Sequence, residues 1–305
     1  MKDSPWSSFI DTLPADAVRL NVPLSEYTTI KVGGPASILM EARDQEEVAQ
    51  AIRDARFYGI PVLLIGGGSN LLIEDAGFEG LVIHFGELFA QVRLEGSTIC
   101  AQAGAWLPGL ARLAAENGLS GLEFAAGIPA SAGGAALMNS GAYGSEMSRV
   151  ITSVECLDSG GNLRQLDRED IGYGYRSSRL MHEDFTVLQV TMTLTPADSG
   201  DIWQRINENM TQRRARQPLT VPSAGSFFKR PEGHFAGSLI EQAGLKGYRV
   251  GDAEVSQLHA GFLLNQGKAS ASDFFELVEH IQKTVDEVFG VRLEPEVRII
   301  RRSKA

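Results

Sequence analysis

Hydrophobic positions along this chain alternate between helical and strand spacing, and each change of period marks an element. Val48, Ile52 and Ala55 share one helical face behind Asp44-Gln45-Glu46-Glu47. Asp44 there is an N-cap and Glu47 the third helical residue, the two halves of a capping box, and Gly59 ends the helix. Pro61-Val62-Leu63-Leu64-Ile65 reads as a buried strand that runs straight into Gly66-Gly67-Gly68-Ser69-Asn70. From residue 80 to residue 196 the pattern turns mostly to strands. Leu81-Val82-Ile83 is one; residues 91–100 predict a hairpin about Glu95-Gly96-Ser97, and residues 154–166 another about Asp158-Ser159-Gly160-Gly161. The β-branched content of residues 186–194 predicts a further strand. One helix interrupts this region, with Leu107, Leu110 and Leu113, and ends at Gly118.

The last third returns to mixed periods. A polar helix runs from Asp198-Ser199-Gly200 to Gln217, where Pro218 stops it. A second helix starts at Ser270-x-x-Asp273, carries Phe274, Leu277, Val278, Ile281, Val285 and Val288 on its apolar face, and ends at Gly290. Glu296-Val297-Arg298-Ile299-Ile300 is a closing strand. The expected class is therefore α+β.

Length and composition then bound the problem. A chain of 305 residues with 43% hydrophobic content predicts a globular protein of two domains. Its net charge of −10 argues against a nucleic-acid binder, which needs a basic surface. Cations do gather locally, at Arg213, Arg214 and Arg216 and again at Lys229 and Arg230, where an anionic small ligand would suit them, although the arginine trio taken alone reads as a solvated helix face. The cysteines, Cys100 and Cys156, lie in strand-like runs without metal-ligand spacing, so reduced core thiols and no metal are expected. The first residues lack the cationic-then-apolar pattern of a secretory signal, and no apolar run approaches the ~20 residues of a membrane span. A cytoplasmic protein is the simplest expectation.

Three segments carry candidate chemistry. Pro222-Ser223-Ala224-Gly225-Ser226-Phe227-Phe228-Lys229-Arg230-Pro231 places one hydroxyl between a glycine and two phenylalanines, with two cations following. Gly225 allows backbone angles that a Cβ would block, the phenylalanines can exclude water, and the cations can favour an alkoxide or an anion. A serine that merely caps a buried turn explains the same residues, and both readings stand at this point. Residues 66–70 offer backbone N–H groups to phosphate oxygens, and a tight strand-to-strand turn explains them equally; position 71 is leucine, so the run is not a dinucleotide fingerprint. Residues 121–144, GLEFAAGIPASAGGAALMNSGAYG, are so rich in small residues that they predict an ordered loop approached closely by something flat or bulky, with Asn139 and Tyr143 supplying directed hydrogen bonds.

Read together and in order, six motifs carry a resemblance: Thr28-Thr29-Ile30-Lys31-Val32-Gly33-Gly34-Pro35-Ala36, the GGGSN loop, GIPASAGGAALMNSGAYG, Tyr175-Arg176-Ser177-Ser178, GSFFKRP, and Leu293-Glu294-Pro295-Glu296-Val297-Arg298. From about residue 20 to residue 300 the chain resembles the UDP-N-acetylenolpyruvoylglucosamine reductases, flavoenzymes of peptidoglycan precursor synthesis. The resemblance implies an FAD-binding domain of the vanillyl-alcohol-oxidase (PCMH) type over residues 1–197, in two subdomains split near residue 80. A substrate domain over residues 198–305 follows. With no added loop between Arg176 and Phe185, the chain resembles the subtype without an extra capping insertion.

The same resemblance assigns residues. Gly66, Gly67, Gly68, Ser69 and Asn70 would cradle the FAD pyrophosphate; Gly127, Ile128, Pro129, Ser131, Gly133, Gly134, Asn139, Gly141, Ala142 and Tyr143 would run along the flavin. NADPH would reduce FAD, and hydride would pass to the enolpyruvyl carbon of the nucleotide sugar. Ser226 matches the proton donor, and Arg176 and Glu296 the other two catalytic positions. Tyr175, Arg216, Lys229, Arg230, His259 and Arg298 are candidates for substrate contacts. Without the resemblance, Arg176 reads as a surface arginine and Glu296 as a strand-edge carboxylate paired with Arg298. Relatives commonly carry glycine at 130 and asparagine at 230, where this chain has Ala130 and Arg230. Another flavin oxidase of this fold would not need GSFFKRP or LEPEVR. A non-catalytic nucleotide-sugar binder would not need Ser226, Arg176 and Glu296 together.

Overall fold

The computed structural model describes residues 5–301. Two compact units emerge from one chain. The first holds the described residues up to Leu20, Ile38–Gly67 and Gly80–Gln212; the second holds Asn21–Ser37, Gly68–Glu79 and the described residues from Arg213 onward. The sequence puts a single boundary at 197/198, and the observed division is more interleaved. Two connections account for this. Leu71–Ile73 pairs in parallel with Arg298–Ile300, and the Thr29 hydroxyl donates to the Ser223 carbonyl at 2.7 Å.

In the first unit the helix Gln45–Tyr58 begins at Asp44, whose side chain accepts the Glu47 N–H, and ends at Gly59 in the left-handed conformation. Only this half of the expected capping box forms, because Arg43 donates its Nε to the Glu47 carboxylate at 2.9 Å. Val62–Ile65 pairs in parallel with Phe78–His84, leaving residues 66 and 67 at a strand end. The strand-rich middle forms a five-stranded antiparallel sheet in the order Leu163–Asp167, Ile151–Leu157, Thr186–Thr193, Thr98–Gln102, Val92–Glu95, with both expected hairpins in place. Its core includes Ile99, Ala101, Ile151, Val154, Val190 and Met192, all fully buried.

The glycine-rich stretch departs from expectation. Its centre is a short helix, Ala132–Leu137, N-capped by Ser131, and Ala132, Gly133, Ala135 and Ala136 are buried. A Cβ on Gly133 would lie 2.7 Å from that of Ala103. Small size here brings helix and sheet backbones together, a packing reason that composition alone does not separate from ligand approach.

In the second unit a four-stranded sheet runs Ser223–Ser226, Phe262–Asn265, Ala253–Val255, Arg249–Val250. The helix Ala271–Phe289 has a complete capping box between Ser270 and Asp273 and stops at Gly290. It buries Phe274, Leu277, Val278, Ile281 and Val285 against Phe227, Leu239, Ile240 and Leu263. Val288, expected on that face, is 58% exposed, and Phe289 of the same turn packs against the core instead. The closing strand is Arg298–Ile300, shorter than expected; Glu296 and Val297 both donate to the Phe227 carbonyl instead. Among the described residues no helix is long and apolar enough to cross a membrane.

Candidate active site

Ser226 ends the strand Ser223–Ser226, and a bulge aims it. Ser223 pairs with Leu264 and Ser226 with Phe262, so one strand carries an extra residue between the two pairs. Gly225 absorbs it at φ +79°, and a Cβ added there would have no atom within 4 Å. The result is an exposed Ser226. The buried turn-cap reading therefore does not describe it. Nor do the phenylalanines shield it: Phe227 and Phe228 are 0% and 3% exposed and belong to the core of this unit.

The segment that follows Ser226 is registered against the one that carries Glu296. The Glu296 N–H donates to the Phe227 carbonyl at 2.8 Å, and the Lys229 N–H to the Glu294 carbonyl at 2.8 Å. Asn70 holds the other side: its Nδ2 donates to the Glu296 carbonyl at 3.1 Å, and its own carbonyl accepts the Arg298 N–H at 3.0 Å. Ser226 and half-buried Glu296 thus sit on adjoining backbone, and Asn70, expected at the pyrophosphate, has its side chain committed to that frame.

The remaining candidates of this unit are spread along its surface. Lys229 Nζ lies 3.4 Å from the Glu294 carboxylate, an exposed pair of little energetic consequence. The Arg230 guanidinium stacks 3.9 Å above the Phe235 ring. His259 Nδ1 accepts the Gly261 N–H at 3.1 Å, so its proton resides on Nε2. Burial lowers the His259 pKa below its ordinary value and keeps the ring neutral near pH 7. Arg298 is exposed, as is Arg216 in the last turn of Ser199–Arg216.

Arg176 lies in the first unit, on a turn closed by reciprocal backbone bonds between Gly174 and Ser177. Its φ is +52°, its Nη2 donates to the Gly141 carbonyl at 3.0 Å, and its guanidinium lies 5.2 Å from the centre of the Tyr175 ring. Tyr175 is 54% exposed and Tyr143 40%. Asn139 is fully buried, its Nδ2 donating to the Gly174 carbonyl and its Oδ1 accepting the Ser148 N–H.

Comparison with known proteins now decides the family. Residues 36–167 match an FAD binding domain, and residues 217–300 match the UDP-N-acetylenolpyruvoylglucosamine reductase C-terminal domain. The UDP-N-acetylenolpyruvoylglucosamine reductase of Clostridium tetani is 45% identical over 298 residues, 98% of this chain and 97% of that protein. This chain belongs to the UDP-N-acetylenolpyruvoylglucosamine reductase family. Reductase 2 of Symbiobacterium thermophilum is 43% identical over 298 residues, covering 97% of each chain. The crystal structure of the Thermus caldophilus reductase superposes with a TM-score of 0.81 at 39% identity, over 93% of this chain and 99% of that one. A variant of Phl p 4, a glucose oxidase, matches 65% of this chain and 45% of its own at a TM-score of 0.52 and 13% identity, a likeness of fold alone.

The first unit of this reductase-family chain fits a flavin dinucleotide. Gly67 and Gly134 are exposed and carry no side chain, so their main chain is open to an incoming ligand. A Cβ on Gly67 would come within 3.4 Å of the Pro129 carbonyl and Ser131 nitrogen, and one on Gly66 within 2.1 Å of Ser131 Oγ. Gly68 has a different reason to be glycine: at φ +60° its Cβ would meet the Tyr27 carbonyl at 1.8 Å. Of the second half of the stretch, Gly141 and Ala142 form a two-residue ladder with Ser145 and Glu146. Sequence reasoning missed the side chains that support the segments carrying the candidate residues. Thr29 anchors Ser223, Asn265 Nδ2 donates to the Ile30 carbonyl at 3.1 Å, and Ser178 Oγ donates to the Leu137 carbonyl at 2.6 Å. Thr29, Ile30 and Ser178 lie within the six motifs; their roles required the fold.

Proposed function

We propose that this protein reduces the enolpyruvyl double bond of UDP-N-acetylglucosamine enolpyruvate to the lactyl ether of UDP-N-acetylmuramate, for peptidoglycan precursor synthesis in the cytoplasm. Bound FAD supplies the chemistry of hydride transfer, from NADPH to the terminal enolpyruvyl carbon. The residues that would hold it are Gly66, Gly67 and the main chain of residues 127–134, whose exposed glycines leave the backbone accessible.

The chain's own work is to bind, orient and protonate. Hydride arriving at the terminal carbon leaves negative charge on the adjacent carbon and its carboxylate, and that charge needs a counter-ion. Arg176 supplies a planar fork suited to a carboxylate. Ser226 donates the proton to the adjacent carbon, so that one hydride and one proton add across the double bond. Glu296 shares a proton with the substrate carboxylate. The cations Arg216, Lys229, Arg230 and Arg298, with Tyr175 and the Nε2–H of His259, serve the nucleotide-sugar diphosphate.

The observation that carries this reading is the exposed Ser226 hydroxyl, delivered by a glycine bulge and registered through Phe227 against the Glu296 segment. A structural serine would not need that bulge. NADPH oxidation by the yellow holoenzyme, with and without the enolpyruvyl substrate, tests it. Substrate-dependent turnover with a reduced sugar product is expected. A preparation that FAD cannot turn yellow, or that oxidises NADPH without touching the enolpyruvyl substrate, would sink the proposal.

A further inference from the structure

Arg176 is held in a conformation that non-glycine residues adopt only when their surroundings enforce it. Three hydrogen bonds between this turn and one short segment do the enforcing. Asn139 Nδ2 donates to the Gly174 carbonyl at 3.0 Å, before Arg176 in the turn. Ser178 Oγ donates to the Leu137 carbonyl at 2.6 Å, after it. Between them the guanidinium itself reaches the Gly141 carbonyl at 3.0 Å.

Asn139 is the centre of this arrangement. It is 0% exposed and itself at φ +45°. Its amide orientation follows from its partners, since a carbonyl only accepts and a backbone N–H only donates. Oδ1 takes the Ser148 N–H at 2.9 Å, so one side chain ties the Arg176 turn to the chain just past the hairpin under the guanidinium. In that hairpin Glu146 pairs with Gly141, and its carboxylate accepts the Ser148 hydroxyl at 2.7 Å. Burial pushes the Glu146 carboxyl up, but the Ser148 hydroxyl, the Asn139 side chain and the charges of Arg176 and Arg149 outweigh it and hold its pKa below the ordinary value. Glu146 is thus a resident negative charge facing Arg176.

We propose that Asn139, together with Ser178, is a positioning residue for Arg176: it fixes the turn whose guanidinium orients the substrate carboxylate. The proposal rests on Arg176 being the carboxylate partner. Neither side chain touches the reacting atoms, so the effect must pass through Arg176.

Single-turnover kinetics of the holoenzyme test this, with flavin reduction by NADPH and product formation measured separately. Asn139→Asp keeps the volume, the bond to Ser148 and the tolerance of positive φ, but sets an oxygen against the Gly174 carbonyl and a second carboxylate beside Glu146. Ser178→Ala removes the second tie and covers the case in which the first variant fails to fold. Losing one buried hydrogen bond corresponds to about a tenfold to hundredfold effect. Product formation is expected to fall by about that factor in Asn139→Asp and by about tenfold in Ser178→Ala, whose flavin reduction stays within about twofold of wild type. On an Arg176→Ala background, adding Asn139→Asp should cost less than about twofold more. Wild-type product formation in both single variants, with Arg176→Ala slow, would overturn the positioning role while leaving Arg176 in place. So would a loss in Asn139→Asp that multiplies undiminished with Arg176→Ala. Wild-type product formation in Arg176→Ala itself would overturn the reading of Arg176 and this inference with it.

Discussion

Gly225 offers the sharpest test of how the fold aims its hydroxyl. The residue lies at φ +79° in the bulge before Ser226, and a Cβ there would meet no atom within 4 Å. Any cost of a side chain therefore comes from the backbone, not from crowding. Holding an L-residue in the left-handed region costs about 1–2 kcal/mol, less for asparagine and more for a β-branched residue. The predicted order of stability is Gly, then Gly225→Asn, Gly225→Ala and Gly225→Val. At about 2–4 °C per kcal/mol for domains of comparable size, the alanine variant should melt a few degrees lower. Activity should fall further than stability, because a chain that relaxes out of positive φ turns Ser226 away. Melting curves and single-turnover product formation on the same preparations measure both. A valine variant with the wild-type midpoint and the wild-type rate would refute the bulge argument.

Two further predictions concern groups with displaced pKa values. Burial raises the Asp75 carboxyl, but the Ala271 N–H and the Ser272 hydroxyl and N–H more than offset it, leaving its pKa below the ordinary 3.8. Its stabilisation is therefore present above that value and lost as pH falls through the lower folded one. Asp75→Asn should shift the urea midpoint at pH 6 and converge with wild type in strong acid; a pH-independent difference would contradict this. Burial, followed by the charges of Asp158 and Glu155, pushes the Cys156 thiol up to about 11. A thiol reagent at pH 8 should modify half-buried Cys100 well before Cys156 in the native protein, and equal native rates would be the contrary result.

Much of the fold was legible because its elements announce themselves locally. The Ser270–Asp273 capping box, the Gly290 stop and the two hairpin turns need no tertiary information. What escaped reading depends on partners far away in sequence. Residues 132–137 pack so closely on Ala103 that position 133 has no room for a Cβ, a contact thirty residues away that composition does not reveal; nearer by, the Glu47 carboxylate is taken by Arg43 and leaves its capping box half made. At the candidate site the residue types were visible but their settings were not. The Phe227-Phe228 pair reads as a shield for Ser226 until the core of the second unit claims both rings. Asn139 and Asn70 read as ligand contacts in the sequence, and the fold adds a backbone role for each side chain, bonded to the Gly174 and Glu296 carbonyls. Polar side chains in a motif can serve a ligand or the backbone beside it, and spacing alone does not separate the two.

The central claim, that Ser226 gives a proton to carbon, is tested most directly by Ser226→Ala in separated half-reactions. The account predicts flavin reduction by NADPH at close to the wild-type rate, and formation of the reduced sugar slowed by about a hundredfold or more, the usual scale of a lost general acid. Product formation at the wild-type rate would contradict it.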